Sequence, residues 1–180
     1  MKPQSFKPIH LCSAATGVAL LFSASSSSAA NGVTVAVEVG PEFVPADDEL
    51  DSSEWGLGVA ARLGYTLDAG WIAFTPEGKI GFQSPGTPNS FALLGGARLN
   101  LFKGLSPAVF AHAGGLAGDL SGFVWDVGVG LDLTLVPAVD VGIFGSYSQV
   151  GNASFSTNRF DYESTDWQWM QFGAQCAVHF

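Results

Sequence analysis

The last eleven residues of the chain alternate without a break. Met170, Phe172, Ala174, Cys176, Val178 and Phe180 are apolar, and Gln171, Gly173, Gln175, Ala177 and His179 stand between them. Alternate side chains of a β-strand point to opposite faces. The segment therefore reads as a strand with one greasy face and one small or polar face, right up to the carboxylate. A soluble domain gains little from such an ending, because termini fray unless something holds them. A closed barrel does gain, since its last strand must pair with its first.

Seven further segments carry the same period of two. Together with the last they run roughly over 33–40, 55–65, 71–82, 91–102, 107–115, 123–135, 139–148 and 167–180. The sixth is the clearest: Phe123, Trp125, Val127, Val129, Leu131, Leu133 and Leu135 alternate with Asp126, Gly128, Gly130, Asp132 and Thr134. The fifth is weak and made mostly of small residues. Glycine, 23 residues of 180, is too frequent within these segments for long helices, so the fold class is all-β. Tight turns are expected after the second, fourth and sixth strands, as in Asp68-Ala69-Gly70. Longer polar linkers are expected after the others, over roughly 44–54, 83–90, 116–122 and 150–166. Short turns at one end and long loops at the other are the asymmetry of a transmembrane barrel. Aromatics near strand ends, among them Trp55, Trp71, Phe91, Phe102, Phe123 and Trp167, suit its two interfacial girdles. Pro76 interrupts the third strand, where a closed barrel has no edge to hide a missing donor. A local bulge or a broken strand is expected there.

The start of the chain agrees with its end. Lys2 and Lys7 precede a small apolar run from Ala14 to Ala24, and Ser28 and Ala30 suit a cut before Asn31. Residues 1–30 are thus expected to be a secretory signal peptide and 31–180 the barrel domain. After the cut, five basic residues face sixteen acids, a net charge of −11. That balance argues against nucleic acid, whose phosphates need Lys and Arg. Cys176 is then the sole cysteine, so an intramolecular disulfide is excluded. No later segment has the eighteen consecutive apolar residues of a helical span.

On the polar faces stand Glu38, Arg62, Glu77, Lys79, Arg98, Asp126, Asp132 and Asp140. A base at mid-membrane on the lipid side costs roughly 2–4 kcal/mol, so these charges are expected inside. An eight-stranded barrel is narrow enough for side chains to fill it. The expected arrangement is an internal salt-bridge plug, with a narrow ion path as the alternative. Three bases against five acids leave a formal −2, so at least one of the acids is expected to have a raised pKa. His112 and His179 also face inward and are expected to pack or hydrogen-bond. Cys176 is expected on the lipid face. No cofactor, metal or catalytic motif is found: neither histidine sits in a His-x-Ser pattern, and the acidic run Asp47, Asp48, Glu49, Asp51 and Glu54 lacks calcium-loop spacing and its glycine. The run reads as a solvated outer loop.

Two stretches carry a family resemblance. Trp125-Asp126-Val127-Gly128-Val129-Gly130-Leu131-Asp132-Leu133, followed by Asp140-Val141-Gly142-Ile143-Phe144-Gly145-Ser146-Tyr147-Ser148, resembles the penultimate hairpin of small OmpA-like and opacity-type barrels. The terminal set Phe172, Cys176, Val178 and Phe180 is similar to the C-terminal recognition strand of bacterial outer-membrane proteins, which typically ends in Phe. The resemblance implies an eight-stranded, antiparallel, up-and-down barrel in a Gram-negative outer membrane. Its implied partners are membrane lipid, lipopolysaccharide and the barrel assembly machinery. Its implied role is structural or interactive rather than enzymatic, with the surface ligand unspecified. A soluble periplasmic or secreted lipocalin-like barrel is the other reading. It requires greasy residues inside and charges outside.

Overall fold

The structure is a computed structural model and describes residues 31–45, 53–84, 89–136, 138–157 and 160–180, with backbone alone over 152–166. The expected signal peptide and the acids Asp47, Asp48, Glu49 and Asp51 lie outside the described residues. Eight strands follow in chain order: β1 (Asn31–Val44), β2 (Glu54–Asp68), β3 (Ile72–Ser84), β4 (Ser90–Leu101), β5 (Leu105–Gly118), β6 (Leu120–Val136), β7 (Val139–Thr157) and β8 (Phe160–His179). Each pairs antiparallel with the next, and β8 returns to β1, giving a closed up-and-down barrel. At the seam, Val35 sits opposite Val178 and Val37 opposite Cys176. Val33 and Phe180 exchange both backbone hydrogen bonds, at 3.2 and 2.9 Å. The terminal strand closes the sheet down to its last residue.

Periodicity located all eight strands but ended several of them early. The 150–166 segment, expected as a loop, is mostly a hairpin extension in which β7 and β8 stay paired from Gly151–Asp166 to Thr157–Phe160. The expected 116–122 linker shrinks to Asp119 between β5 and β6. Backbone pairing continues past the point where apolar alternation stops, because the ladder is held by backbone hydrogen bonds, which need no greasy face. The three tight turns are where they were expected. Gly70 and Gly104 take positive φ there, and so does Phe102 (φ 65°), a conformation that costs a side chain with a Cβ.

Pro76 neither bulges nor breaks its strand. Register is unchanged from the Gly64–Glu77 pair to the Leu67–Phe74 pair, but the two rungs between them are missing. The Thr66 and Thr75 hydroxyls hydrogen-bond across the gap at 2.9 Å, while Pro76 stays in register with Ala97 of β4. The ladder simply opens on the side where proline has no donor. Register shifts occur instead at the two ends of β6, against β7.

Polarity is inverted relative to a water-soluble core. Leu93 is 70% exposed and Ile143 63%, and Val33, Val35, Val37 and Val39 are exposed together. The barrel interior holds buried Glu, Asp, Arg, Lys, Gln and Ser. Trp55, Trp71, Phe91, Phe102 and Phe123 are exposed at strand ends, as a girdle requires. Trp167 corrects that set. It shares the inward parity of Trp169 and packs, half-buried, against an apolar cluster inside the barrel.

Candidate functional site in the barrel interior

The interior is stacked in three levels. At the end away from the termini lies an apolar cluster of Val44, Leu94, Leu116, Leu120, Val124 and Trp169, with smaller neighbours. Trp169, Leu120 and Val124 are completely buried. Strand parity places all of these inward, where the sequence led us to expect only polar groups. Val44, Leu116 and Leu120 lie beyond the periodic segments, whereas Leu94, Val124 and Trp169 lie inside theirs, on the face otherwise small or polar.

Below it, six charged side chains close a ring. Glu38 of β1 meets the Arg62 Nε of β2 at 2.9 Å. The Arg62 Nη1 donates to both oxygens of Glu77, at 2.9 and 2.7 Å. Glu77 meets His112 Nε2 at 2.9 Å, and His112 Nδ1 meets Asp126 at 2.6 Å. Lys79 Nζ, 2.9 Å from Asp126, is 3.4 Å from Glu38 and completes the circuit. Acid and base alternate throughout, and the ring balances to zero with His112 in its imidazolium form. All six members are buried. Buried charges stay ionised only when paired and hydrogen-bonded, and here each has two partners of opposite sign. Strand alternation explains the placement: these residues share one parity on β1, β2, β3, β5 and β6, and the barrel wraps that face inward.

A second group hangs from the ring through Gln175 of β8. Its Oε1 accepts from Arg62 Nη2 at 3.0 Å and Arg98 Nη1 at 3.4 Å, and its Nε2 donates to Asp132. Arg98 Nη2 pairs with Asp132 at 2.7 Å, and Asn100 Nδ2 donates to the same oxygen at 2.8 Å. The third group is a row. Asp140 and His179 Nε2 are 2.8 Å apart, and His179 Nδ1 and Thr34 share a hydrogen bond of 3.0 Å. Thr34 continues to Thr66 at 2.7 Å, and Thr66 to Thr75.

All eight charged residues expected inside therefore face inward, seven of them buried and Asp140 half-buried. The expectation that one acid would be left over from the count overlooked the histidines. Each of the five acids meets a base or a histidine ring. Both histidines hydrogen-bond, as expected. Sequence reading missed Glu42, fully buried and accepting from the Ser84 amide at 3.0 Å, because the first periodic segment seemed to end at Gly40. It read Gln175 only as a polar-face residue; no spacing rule announces a coupling amide. Cys176 is exposed on the outer face, as expected.

The terminal-side third of the interior is open. A cavity of about 480 Å³ runs from the Arg62–Glu77 and Arg98–Asp132 pairs to the turns that carry Asp68, Phe102 and Lys103. Beyond the apolar belt, Lys103 Nζ stands 2.9 Å from Asp68. That ammonium, and the Gly70 amide after it, hold the Asp68 carboxyl below its ordinary range.

No protein-family model matches the chain, and no curated protein matches it. Among solved structures it is similar to the crystal structure of Neisserial surface protein A, at 13% identity and a TM-score of 0.55, over 84% of this chain and 98% of that one. At that identity the likeness is one of fold: the chain shares the architecture of this surface protein.

Proposed function

We propose that this is an outer-membrane β-barrel of the small OmpA-like or opacity type, with a structural or surface-interaction role. The observation that carries the reading is the inverted polarity: a continuous apolar outer belt around a buried, self-neutralising charge ring. A lipocalin-like barrel would need the opposite faces. Membrane lipid and lipopolysaccharide are the partners that belt suits, and the signal peptide over 1–30 delivers the chain. Surface contacts belong to the strand ends remote from the termini, where the paired β7–β8 extension projects. The charge ring and the apolar cluster above it support a filled interior rather than a pore. The decisive experiment is membrane fractionation followed by electrophoresis with and without boiling. An outer-membrane band with a heat-dependent mobility shift is expected; a soluble periplasmic product without one overturns the reading.

Phe172, Cys176, Val178 and Phe180 are proposed to serve as the strand that the assembly machinery engages. Deleting Phe180 is expected to lower the outer-membrane yield in cells while barrels still form in detergent micelles. Equal yields in cells would remove that role.

A further inference from the structure

We propose that the β5–β6 turn is a hinged cap on the end of the interior remote from the termini, latched to β4 by Ser90 and coupled to the β7–β8 extension. The stretch Gly118-Asp119-Leu120-Ser121-Gly122 is polar and glycine-rich apart from one leucine. Connecting segments ordinarily run over the surface, yet Leu120 is completely buried. It packs in the apolar cluster with Leu116, Val124 and Trp169. The turn therefore folds inward, and its leucine stops the mouth.

The latch is a single hydroxyl. Ser90, itself buried, donates from Oγ to the Leu120 carbonyl at 2.9 Å and accepts from the Leu120 amide at 3.1 Å. A hydroxyl has one donor and two acceptor lone pairs, so one side chain serves both backbone groups of Leu120. Asp119 adds two bonds beside it. Its amide donates to the Asn89 carbonyl at 2.9 Å, and its carboxylate accepts from the Asn89 amide at 3.2 Å.

The hinges flank the latch. Gly118 takes φ 140° and Gly122 φ 155°, and a Cβ on Gly118 would clash with the Asn89 carbonyl oxygen. Only glycine turns the chain freely there. The last rung of the β5–β6 ladder joins Leu116 to Gly122. Against β7 the register shifts between Ser121 and Phe123, and such an irregularity interrupts a ladder locally. Both boundaries separate the cap from the wall below. Beyond the shift Leu120 pairs with Phe155 and Ser121 with Ser154, at the root of the β7–β8 extension. A load on the extension thus reaches Leu120 through backbone pairing. Lifting the cap uncovers the apolar cluster, while the charge ring beneath still closes the barrel. The device governs access to the outer part of the interior, and conduction stays blocked. The inference rests on the proposed surface role only for what loads the extension.

Leu120→Cys and Val124→Cys are made separately in a Cys176→Ala background and refolded in micelles. Both side chains are completely buried in the wild type, one in the cap and one in the wall. A water-soluble thiol reagent is expected to label Leu120→Cys in the folded barrel and Val124→Cys only on unfolding. Adding Ser90→Ala removes two hydrogen bonds and should speed labelling of Leu120→Cys about tenfold, leaving Val124→Cys unchanged. Replacing residues 155–162 by Asn-Gly, a two-residue hairpin turn, removes the Leu120–Phe155 pair and should speed it as well. Amide exchange followed by NMR in Ser90→Ala alone checks the latch without a new thiol: Asp119 and Leu120 should exchange faster together, and Val129 should not. Leu120→Cys unlabelled until the barrel unfolds, both cysteines labelling at one rate, or exchange at Leu120 untouched by Ser90→Ala overturns the cap. Labelling unmoved by the hairpin replacement overturns its coupling to the extension. Heat-modifiability of every variant is scored separately, so failure of the cap and failure of the barrel reading are distinguishable.

Discussion

Lys79 holds two ion pairs at once, to Asp126 and Glu38, with its side chain 2% exposed. Removing one partner of a buried pair leaves an uncompensated charge, which costs about 3–5 kcal/mol. Lys79→Met is expected to destabilise the barrel by that order, read as a lower urea midpoint in micelles. Adding Glu38→Gln should recover part of the loss, because it returns the ring to neutrality. An unchanged midpoint in the single variant would mean that the ring carries no stability. Asp68, half-buried beside an exposed Lys103, makes a smaller counterpart. Its depressed carboxyl contributes stability that is complete above the unfolded-state pKa and fades as pH falls through the folded one. Carbon-detected NMR should show Asp68 titrating below the ordinary ~3.9 of an aspartate, and Lys103→Ala should move it back up. The contribution is minor, since Lys103 is 67% exposed and exposed pairs are screened.

At the scale of elements, the β1–β8 seam decides whether the sheet becomes a barrel. Its ladder skips the Gly40–Gly173 and Pro41–Phe172 rungs while keeping register on both sides. A Cβ on Gly40 would clash with the Phe172 carbonyl oxygen, and one on Gly173 with that of Val39. Two facing glycines let the first and last strands approach this closely. Gly40→Val is therefore expected to abolish the heat-modifiable form, whereas a change to valine at Gly95, which has open space around it, should spare it. A folded Gly40→Val barrel would show that the seam can spread. Strand identity was legible from alternation in all eight strands, but strand ends were not. Glu42 and Trp169 lie outside or beside the clearest runs, and only strand pairing, of Glu42 with β2 and β8 and of Trp169 with β7, shows them to be interior residues.

For the whole molecule, the three interior levels stack along the barrel axis, and two of them leave no open path. Planar bilayers holding the wild-type chain should stay without steady conductance. A stable open channel in the wild type would contradict a sealed interior and favour the narrow-pore alternative. Opening should require losing both the charge ring and the apolar cluster, since either alone still fills the cross-section.

Alternation by itself determined that the chain is all-β, how many strands it has, which face the side chains of the clear runs take and that charges gather inside. A period of two encodes a face, and a face is local. It could not say which inward charges meet. Glu77 reaches His112 and Lys79 reaches Asp126 across 35 and 47 residues of chain, at heights fixed by the stagger of neighbouring strands. Nor could it foresee that glycines would thin the seam, that the Thr66 and Thr75 hydroxyls would span the gap at Pro76, or that the interior would separate into an apolar end, a charged middle and an open cavity. Those depend on closure, because only a closed sheet brings the inner faces of β1 and β8 into one enclosed space.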